Sequence, residues 1–534
     1  MLGRRGFIQG VGLFGAIWVT QTAFAFGLPA AASPQPGRAP KGIYANMVVQ
    51  TYVAGEPRGS SQKQIDSDLT SYLGSVLGNS AVSGLFLQYR WASLNPAADV
   101  YAWNTVDDAF AAVAQWNAEN LDKSPKTIQF ALDAGFYSPT WVLDNLASCD
   151  GMFAVPAQPV SSTCGKATFL NWEGVANPRP SSLPLPWNAT YKNSWRTFLT
   201  AFAQRYGSNP AFVSIEIGGP TAATTEMILP NGKQDETYWS QWTAPHGGLL
   251  KGNYGDPSYW NSDKAFVEEW AAAIDMYGQI FTGITLVADT GDGLPNFANP
   301  SLLTSPPISF KSDCPRQNMD CAAETAILSY FSQATVGGDN RKATQESGLN
   351  GNLAADRAGN LTSRSVKWLA ETTAGGPMQL PGSRTLTSRV TGGLQFGTGL
   401  ARAPVQEGCT AGFRPADWPK ISVACLAPKV ALSDVTGYAT FADVPRAKMI
   451  STEQSAFNVL RVAFDGTAYG QTYGTDQGRA RLNYLQIYAA DIIYAASNAM
   501  PQSVVVDERG DTAKYTVQDL LDQASQELSR IAEN

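Results

Sequence analysis

The single histidine, His246, sets the first limit on what this chain can do. One imidazole cannot build a multi-histidine metal site. It would leave a Ser-His-Asp triad resting on one residue in a Pro/Gly-rich loop, and no G-x-S-x-G elbow is present. The six cysteines fall into three near-neighbour pairs, Cys149 and Cys164, Cys314 and Cys321, Cys409 and Cys425, with no C-x-x-C spacing. Proximity favours three local disulfides, each pinning a loop, over a cysteine-rich metal site. Acid–base work is then left to carboxylates. Glu216, Glu226, Glu346, Glu371 and Glu453, with Asp133, lie in or beside short apolar runs. Two such groups can serve as acid and as nucleophile or base without metal or cofactor.

The composition narrows the partners. Lys and Arg number 38 against 45 Asp and Glu, a formal charge of −7. Phosphate contacts need clustered cations, so a nucleic-acid partner is excluded. Hydrophobic residues make up 44% and charged residues 16%, which provides a packed core and excludes disorder. The 14 Trp, 20 Tyr and 23 Phe suit flat, neutral, polar ligands such as sugars, and equally suit an aromatic-rich core. Asp289 to Gly293 superficially matches a calcium loop but lacks the later bidentate Glu, so no metal is assigned there or near Asp465. No cofactor is expected.

The first residues carry Arg4-Arg5-Gly6-Phe7-Ile8 and then a mostly apolar run over 11–26. Residues 1–32 read as a Tat-type export signal and linker, with small residues for cleavage at 23–25 or 30–32. Gln21, glycines and threonines interrupt the run, which is short for a span of about 20 apolar residues. The mature protein is expected to be periplasmic or secreted by a bacterium, with no membrane span after cleavage.

Short apolar runs at 42–47, 84–89, 127–132, 212–217, 284–288, 342–345, 393–396 and 484–488 predict eight strands. Helical stripes separate them: Val106, Phe110, Val113 and Trp116 after an Asn104 cap; Trp195, Phe198, Leu199, Phe202 and Tyr206; Phe266, Trp270, Ile274 and Tyr277. A last stripe, Val517, Leu520, Leu521, Ala524, Leu528 and Ile531, marks a C-terminal helix. No strand is followed by G-x-G-x-x-G or a Walker sequence, so a nucleotide fold is disfavoured. The alternation predicts an α/β fold, a (β/α)8 TIM barrel over 40–534 with long strand-to-helix loops and an insertion at about 400–450.

At the ends of these strands the sequence carries motifs. Arg90-Trp91-Ala92-Ser93-Leu94-Asn95-Pro96 follows the second strand, with Tyr101-Ala102-Trp103 and an Asp107-bearing helix beyond it. Asp133-Ala134-Gly135-Phe136-Tyr137-Ser138-Pro139-Thr140-Trp141 follows the third. Here the chain resembles the β-galactosidase-like and β-amylase-like barrel glycoside hydrolases. The resemblance implies that Arg90 buttresses a carboxylate, that Trp91 beside it joins the substrate-binding set, that Tyr137 and Trp141 form a sugar-stacking wall, and that Asp133 accepts sugar hydroxyls or pairs with Arg90. Gln395, on the seventh strand, joins this substrate-binding set. The Asn-Glu pair that commonly ends the fourth strand of such hydrolases is absent. Instead Gly219-Pro220 leads to Glu226-Met227-Ile228-Leu229-Pro230, similar to the acid-bearing G-E-x-x-x-P segment of β-amylase-like enzymes with a longer spacer. Glu226 is preferred over Glu216, which lies within the strand. Gln345-Glu346-Ser347-Gly348 is similar to the E-N-A-L turn of the second carboxylate, with Glu371 and Glu453 as rivals.

The resemblance therefore implies an exported glycoside hydrolase acting on a polysaccharide or oligosaccharide, endo-acting by its long loops. Glu226 is the acid or acid/base and Glu346 the nucleophile or base. The alternative is a catalytically silent carbohydrate-binding or polymer-handling barrel of the cell envelope, which the missing Asn-Glu supports.

Overall fold

The computed structural model describes residues 38–49, 62–149, 164–169, 181–230, 239, 264–290, 294–295, 327–328, 330–331, 342–349, 378–380, 384–386, 391–396, 467–468, 471–472, 482–496, 503–506 and 512–533. The chain divides into two compact units, 1–35 and 36–534. The predicted export signal belongs to the first and lies outside the described residues.

Eight strands are formed: β1 (Gly42–Val48), β2 (Val82–Arg90), β3 (Thr127–Asp133), β4 (Phe212–Glu216), β5 (Thr285–Thr290), β6 (Lys342–Leu349), β7 (Thr391–Phe396) and β8 (Leu482–Tyr488). They pair in the order β1-β8-β7-β6-β5-β4-β3-β2, every neighbour parallel, and β1 pairs with β2 to close the ring. A parallel neighbour cannot be reached by a tight turn, so the chain must return outside the sheet. Among the described residues α1 (Gln62–Leu77), α2 (Asn104–Glu119), α3 (Ala189–Tyr206) and α4 (Lys264–Ile280) make this return after β1 to β4. After β8 come α5 (Ala489–Ala496) and α6 (Val517–Glu533).

The helical stripes are buried as their spacing requires. Trp195, Phe198, Leu199, Phe202 and Tyr206 of α3 lie under solvent-shielding neighbours, as do Phe266, Trp270, Ile274 and Tyr277 of α4. The cap of α2 differs from the reading above: Trp103 is the N-cap, with no side-chain cap bond, and Asn104 is already helical. Trp103 is fixed instead by stacking on Tyr101, with ring centroids 5.0 Å apart.

Strand alternation separates an outer core from an inner one. On β3, Ile128, Phe130 and Leu132 pack outward among the helix stripes, while Ala131 joins Tyr44, Phe86, Val287, Ala343 and Tyr484 in the barrel interior. The N-terminal end of the ring is closed by a strap before β1. Arg38 donates to the carbonyls of Phe212 at 2.9 Å, Gly207 at 3.0 Å and Asn209, across the ring from its own strand. Beside it Lys126, 4% exposed, points its Nζ at the carbonyls of Leu77, Asn79 (3.0 Å) and Val82 (2.8 Å).

Between β3 and α3 a two-stranded antiparallel hairpin (Lys166–Phe169 with Ser181–Pro184) sits on a Cys149–Cys164 disulfide, Cα to Cα 5.0 Å. Cys314, Cys321, Cys409 and Cys425 lie outside the described residues. No described helix is long and apolar enough to cross a membrane.

Candidate active site

Above the apolar interior layer, towards the C-terminal ends of the strands, the inward positions become polar. Gln345 on β6 is the hub. Its Nε2 donates to Glu216 Oε1 on β4 at 2.7 Å and to Asp289 Oδ2 on β5 at 3.2 Å, and its Oε1 accepts from the Tyr484 hydroxyl on β8 at 2.9 Å. Gln486 of β8 donates to Gln129 Oε1 at 2.8 Å and to Glu216 Oε1 at 3.3 Å. The Thr225 hydroxyl donates to the other oxygen, Oε2. Glu216 is thus a buried carboxyl met by three donors. Burial pushes its pKa up to about 7, against the opposing pull of Thr225, Gln345 and Gln486.

The β2 and β3 ends form a second group. Arg90 and Asp133 are register partners on adjacent strands. Burial drives the Asp133 carboxyl well above the usual carboxylate range. The charge of Glu216 adds to this, Arg90 opposes it, and Glu226 adds a little more. Asp133 Oδ1 is buried with no hydrogen-bond partner among the described residues. The Arg90 guanidinium lies 4.2 Å from the centre of the Tyr137 ring, a cation–π arrangement that leaves Tyr137 and Arg90 part-exposed at the mouth. Trp141 is also part-exposed, its indole N–H donating to the Asn95 carbonyl at 3.0 Å.

Trp91 does not fit the substrate-binding role expected of it. It is fully buried, its indole N–H donates to Asn95 Oδ1 at 3.1 Å, and Trp141, Tyr191, Trp195 and Phe198 surround its ring. With both faces against protein it packs behind the wall instead of forming it.

The segment after β4 returns across the mouth. Gly135 has φ +56°, and a Cβ there would meet the Ala222 carbonyl oxygen at 2.0 Å, so the position requires glycine; Phe136 N–H donates to that same carbonyl at 2.6 Å. The Tyr191 hydroxyl donates to the Gly219 carbonyl at 2.6 Å, and Met227 N–H reaches the Asp289 carbonyl at 3.3 Å. Met227 and Leu229 are buried while Glu226 between Thr225 and Met227 is only part-buried. The loop therefore carries Glu226 to the ring of strand ends, within electrostatic reach of Asp133.

Glu346 is placed by its backbone alone. The expected turn after Gln345 is not formed. β6 runs on to Leu349 because both neighbours supply partners, Thr290 of β5 and Leu394 of β7 facing Glu346. The side chains of Glu346 and of Gln395, which pairs with Gln486, lie outside the described residues, as do His246, Glu371, Glu453, Asp292 and Asp465. Asp289 lies within β5, buried against Gln345, and not in a loop.

Glu216, Gln345, Gln486 and Asp289 were not singled out together by the sequence. The signal was there as polar residues two or four apart in otherwise apolar strands: Gln129 and Asp133 on β3, Ser214 and Glu216 on β4, Tyr484 and Gln486 on β8. Period-two polarity inside a barrel strand marks the interior.

No family model and no curated protein matches the sequence. Among solved structures the chain is similar to a β-galactosidase from the psychrophilic Marinomonas ef1, at 11% identity and a TM-score of 0.35, covering 92% of this chain and 60% of that one. It is similar to endo-glycoceramidase II from Rhodococcus sp. at 14% identity and 0.28, covering 62% and 71%. For a β-galactosidase from the haloarchaeon Halorubrum lacusprofundi the values are 10% and 0.33, covering 70% and 55%. These neighbours are glycoside hydrolases, and the chain spans about three-fifths of the first one's length.

Proposed function

We propose that the protein is an exported glycoside hydrolase on a complete (β/α)8 barrel, cleaving internal glycosidic bonds of a polysaccharide or oligosaccharide. The observation that supports this reading is the loop after β4, whose Met227 N–H bonds the Asp289 carbonyl and which carries Glu226 at the C-terminal ends of the strands, where loops build active sites. Glu226 is the acid that protonates the leaving oxygen, and Glu346 the nucleophile or the base for water. Asp133, with an oxygen unclaimed among the described residues, accepts a sugar hydroxyl. Tyr137 and Trp141 offer ring faces, and Arg90 and Gln395 complete the substrate-binding set. Carboxylates gathered around the mouth favour the positive charge that develops on the sugar ring during cleavage. The Cys149–Cys164 bond supports an oxidising compartment, in line with the twin arginine at Arg4 and Arg5.

The test is a panel of bacterial and plant glycans with products read by mass spectrometry, using the wild type, Glu226→Gln, Glu346→Gln and His246→Ala. Cleavage by the wild type and His246→Ala, lost in both glutamine variants, is the expected result. Binding without cleavage by the wild type would instead establish a silent carbohydrate-binding barrel.

A further inference from the structure

The loop that bears Glu226 is held in two ways. Backbone bonds fix its flanks: the Gly219 carbonyl to Tyr191, the Ala222 carbonyl to Phe136, and Met227 N–H to Asp289. Its crest is tied to the strands through a side chain, the buried Thr225 hydroxyl donating to Glu216. Glu216 is in turn gripped by Gln345, and Gln345 by the Tyr484 hydroxyl. A continuous polar chain thus runs from β8 through β6 and β4 to the peptide before Glu226.

We propose that Thr225 and Glu216 are positioning residues, through which the barrel interior sets the placement of Glu226 against the leaving oxygen. This rests on reading Glu226 as the acid. Thr225 occupies a place that Val could fill sterically but not chemically. Without its hydroxyl the loop keeps its backbone bonds and loses a tie to the strands at the residue next to Glu226. Misplacing a reacting group by an ångström costs up to about a hundredfold in rate. The consequence is selective, because only substrates with poor leaving groups need the acid well placed.

The experiment compares phenyl and 2,4-dinitrophenyl glycosides of the sugar released from the glycan panel. Thr225→Val is expected to lower kcat on the phenyl glycoside by roughly 10- to 100-fold. The dinitrophenyl substrate should change by less than about threefold, and Thr225→Ser should restore both. A purely structural role would lower both substrates alike. Tyr484→Phe removes only the far hydroxyl of the chain. It is expected to give the same selectivity at about two- to fivefold, and it carries the test if Thr225→Val does not fold. Equal loss on both substrates, or none, in folded variants overturns the proposal, provided that Glu226→Gln is itself selective for the phenyl glycoside. If Glu226→Gln is not selective, or if no glycan is cleaved, the underlying acid assignment falls and this inference falls with it.

Discussion

The two ends of the barrel treat buried charge in opposite ways. At the N-terminal end the charged groups described are cations, Arg38 and Lys126, and each terminates on backbone carbonyls. Lys126 also lies 4.3 Å over the Trp116 ring, and although burial and nearby Lys123 lower its pKa to about 8, it remains mostly protonated at neutral pH. At the C-terminal end the described groups include carboxyls, Asp133, Glu216 and Asp289, met by neutral amides, by the Thr225 hydroxyl and by Arg90 at the ring's rim. The first end meets Arg38 and Lys126 with carbonyls and so stabilises. The other keeps like groups together and stores electrostatic strain, which is the arrangement expected where a reaction takes place.

That contrast is broken most directly by Glu226→Gln. The substitution preserves shape, so the thermal midpoint should stay close to that of the wild type. Turnover on a natural glycan should fall by about 10²- to 10⁴-fold, the usual worth of a placed proton donor. Full activity in this variant would leave the mouth as a merely polar cavity. Lys126→Met tests the opposite end and should show the mirror-image outcome. Three bonds from the ammonium to carbonyls are lost there, and charge-assisted bonds of this kind are worth roughly 1.5–3 kcal/mol each before relaxation and water entry. A net destabilisation of about 3–5 kcal/mol in urea unfolding is expected, with activity per folded molecule unchanged. A large loss of kcat in the folded fraction would show that the two ends are not separable.

The sequence exposed these two ends unequally. The ring and its helix faces were legible because apolar spacing depends on local geometry. The stripe on α3 and the alternation on β8 needed no partner to be recognised. The floor was not legible, since the fit of Lys126 depends on carbonyls contributed by residues 77–82, brought near only by folding. At the mouth, Arg90, Asp133 and Tyr137 stood out because they follow strands in a recognisable order. Trp91 misled because a tryptophan in such a motif reads the same whether its faces meet a ligand or Trp195. Glu346 illustrates another limit: whether a strand stops at a glycine or continues is decided by neighbouring strands, here β5 and β7. The Glu216 network was hidden because hydrogen bonding between β4, β6 and β8 joins residues 129 and 270 positions apart.

The strain at the mouth can be measured through the pH dependence of stability in Glu216→Gln. In the folded protein Glu216 has a pKa of about 7, against an ordinary value of 4.5. Between those values the folded state holds a proton that the unfolded chain has released, so wild-type stability declines as pH rises through this window and levels off above it. The gap corresponds to roughly 3 kcal/mol as an upper figure, since the denatured chain and local relaxation reduce it. Glutamine cannot ionise, and its amide can donate to the Thr225 hydroxyl while its carbonyl still accepts from Gln345, so the local bonds survive the exchange. The variant should match the wild type near pH 4.5 and become progressively more stable than it by pH 7.5, while the corresponding difference for Lys126→Met should not follow that curve. Urea unfolding of wild type and variant at pH 4.5, 6 and 7.5 measures the difference directly, with titration of all other groups common to both. A difference that stays flat across the window would mean that Glu216 is ionised throughout. The mouth would then hold its charge as comfortably as the floor does, and the contrast between the two ends would disappear.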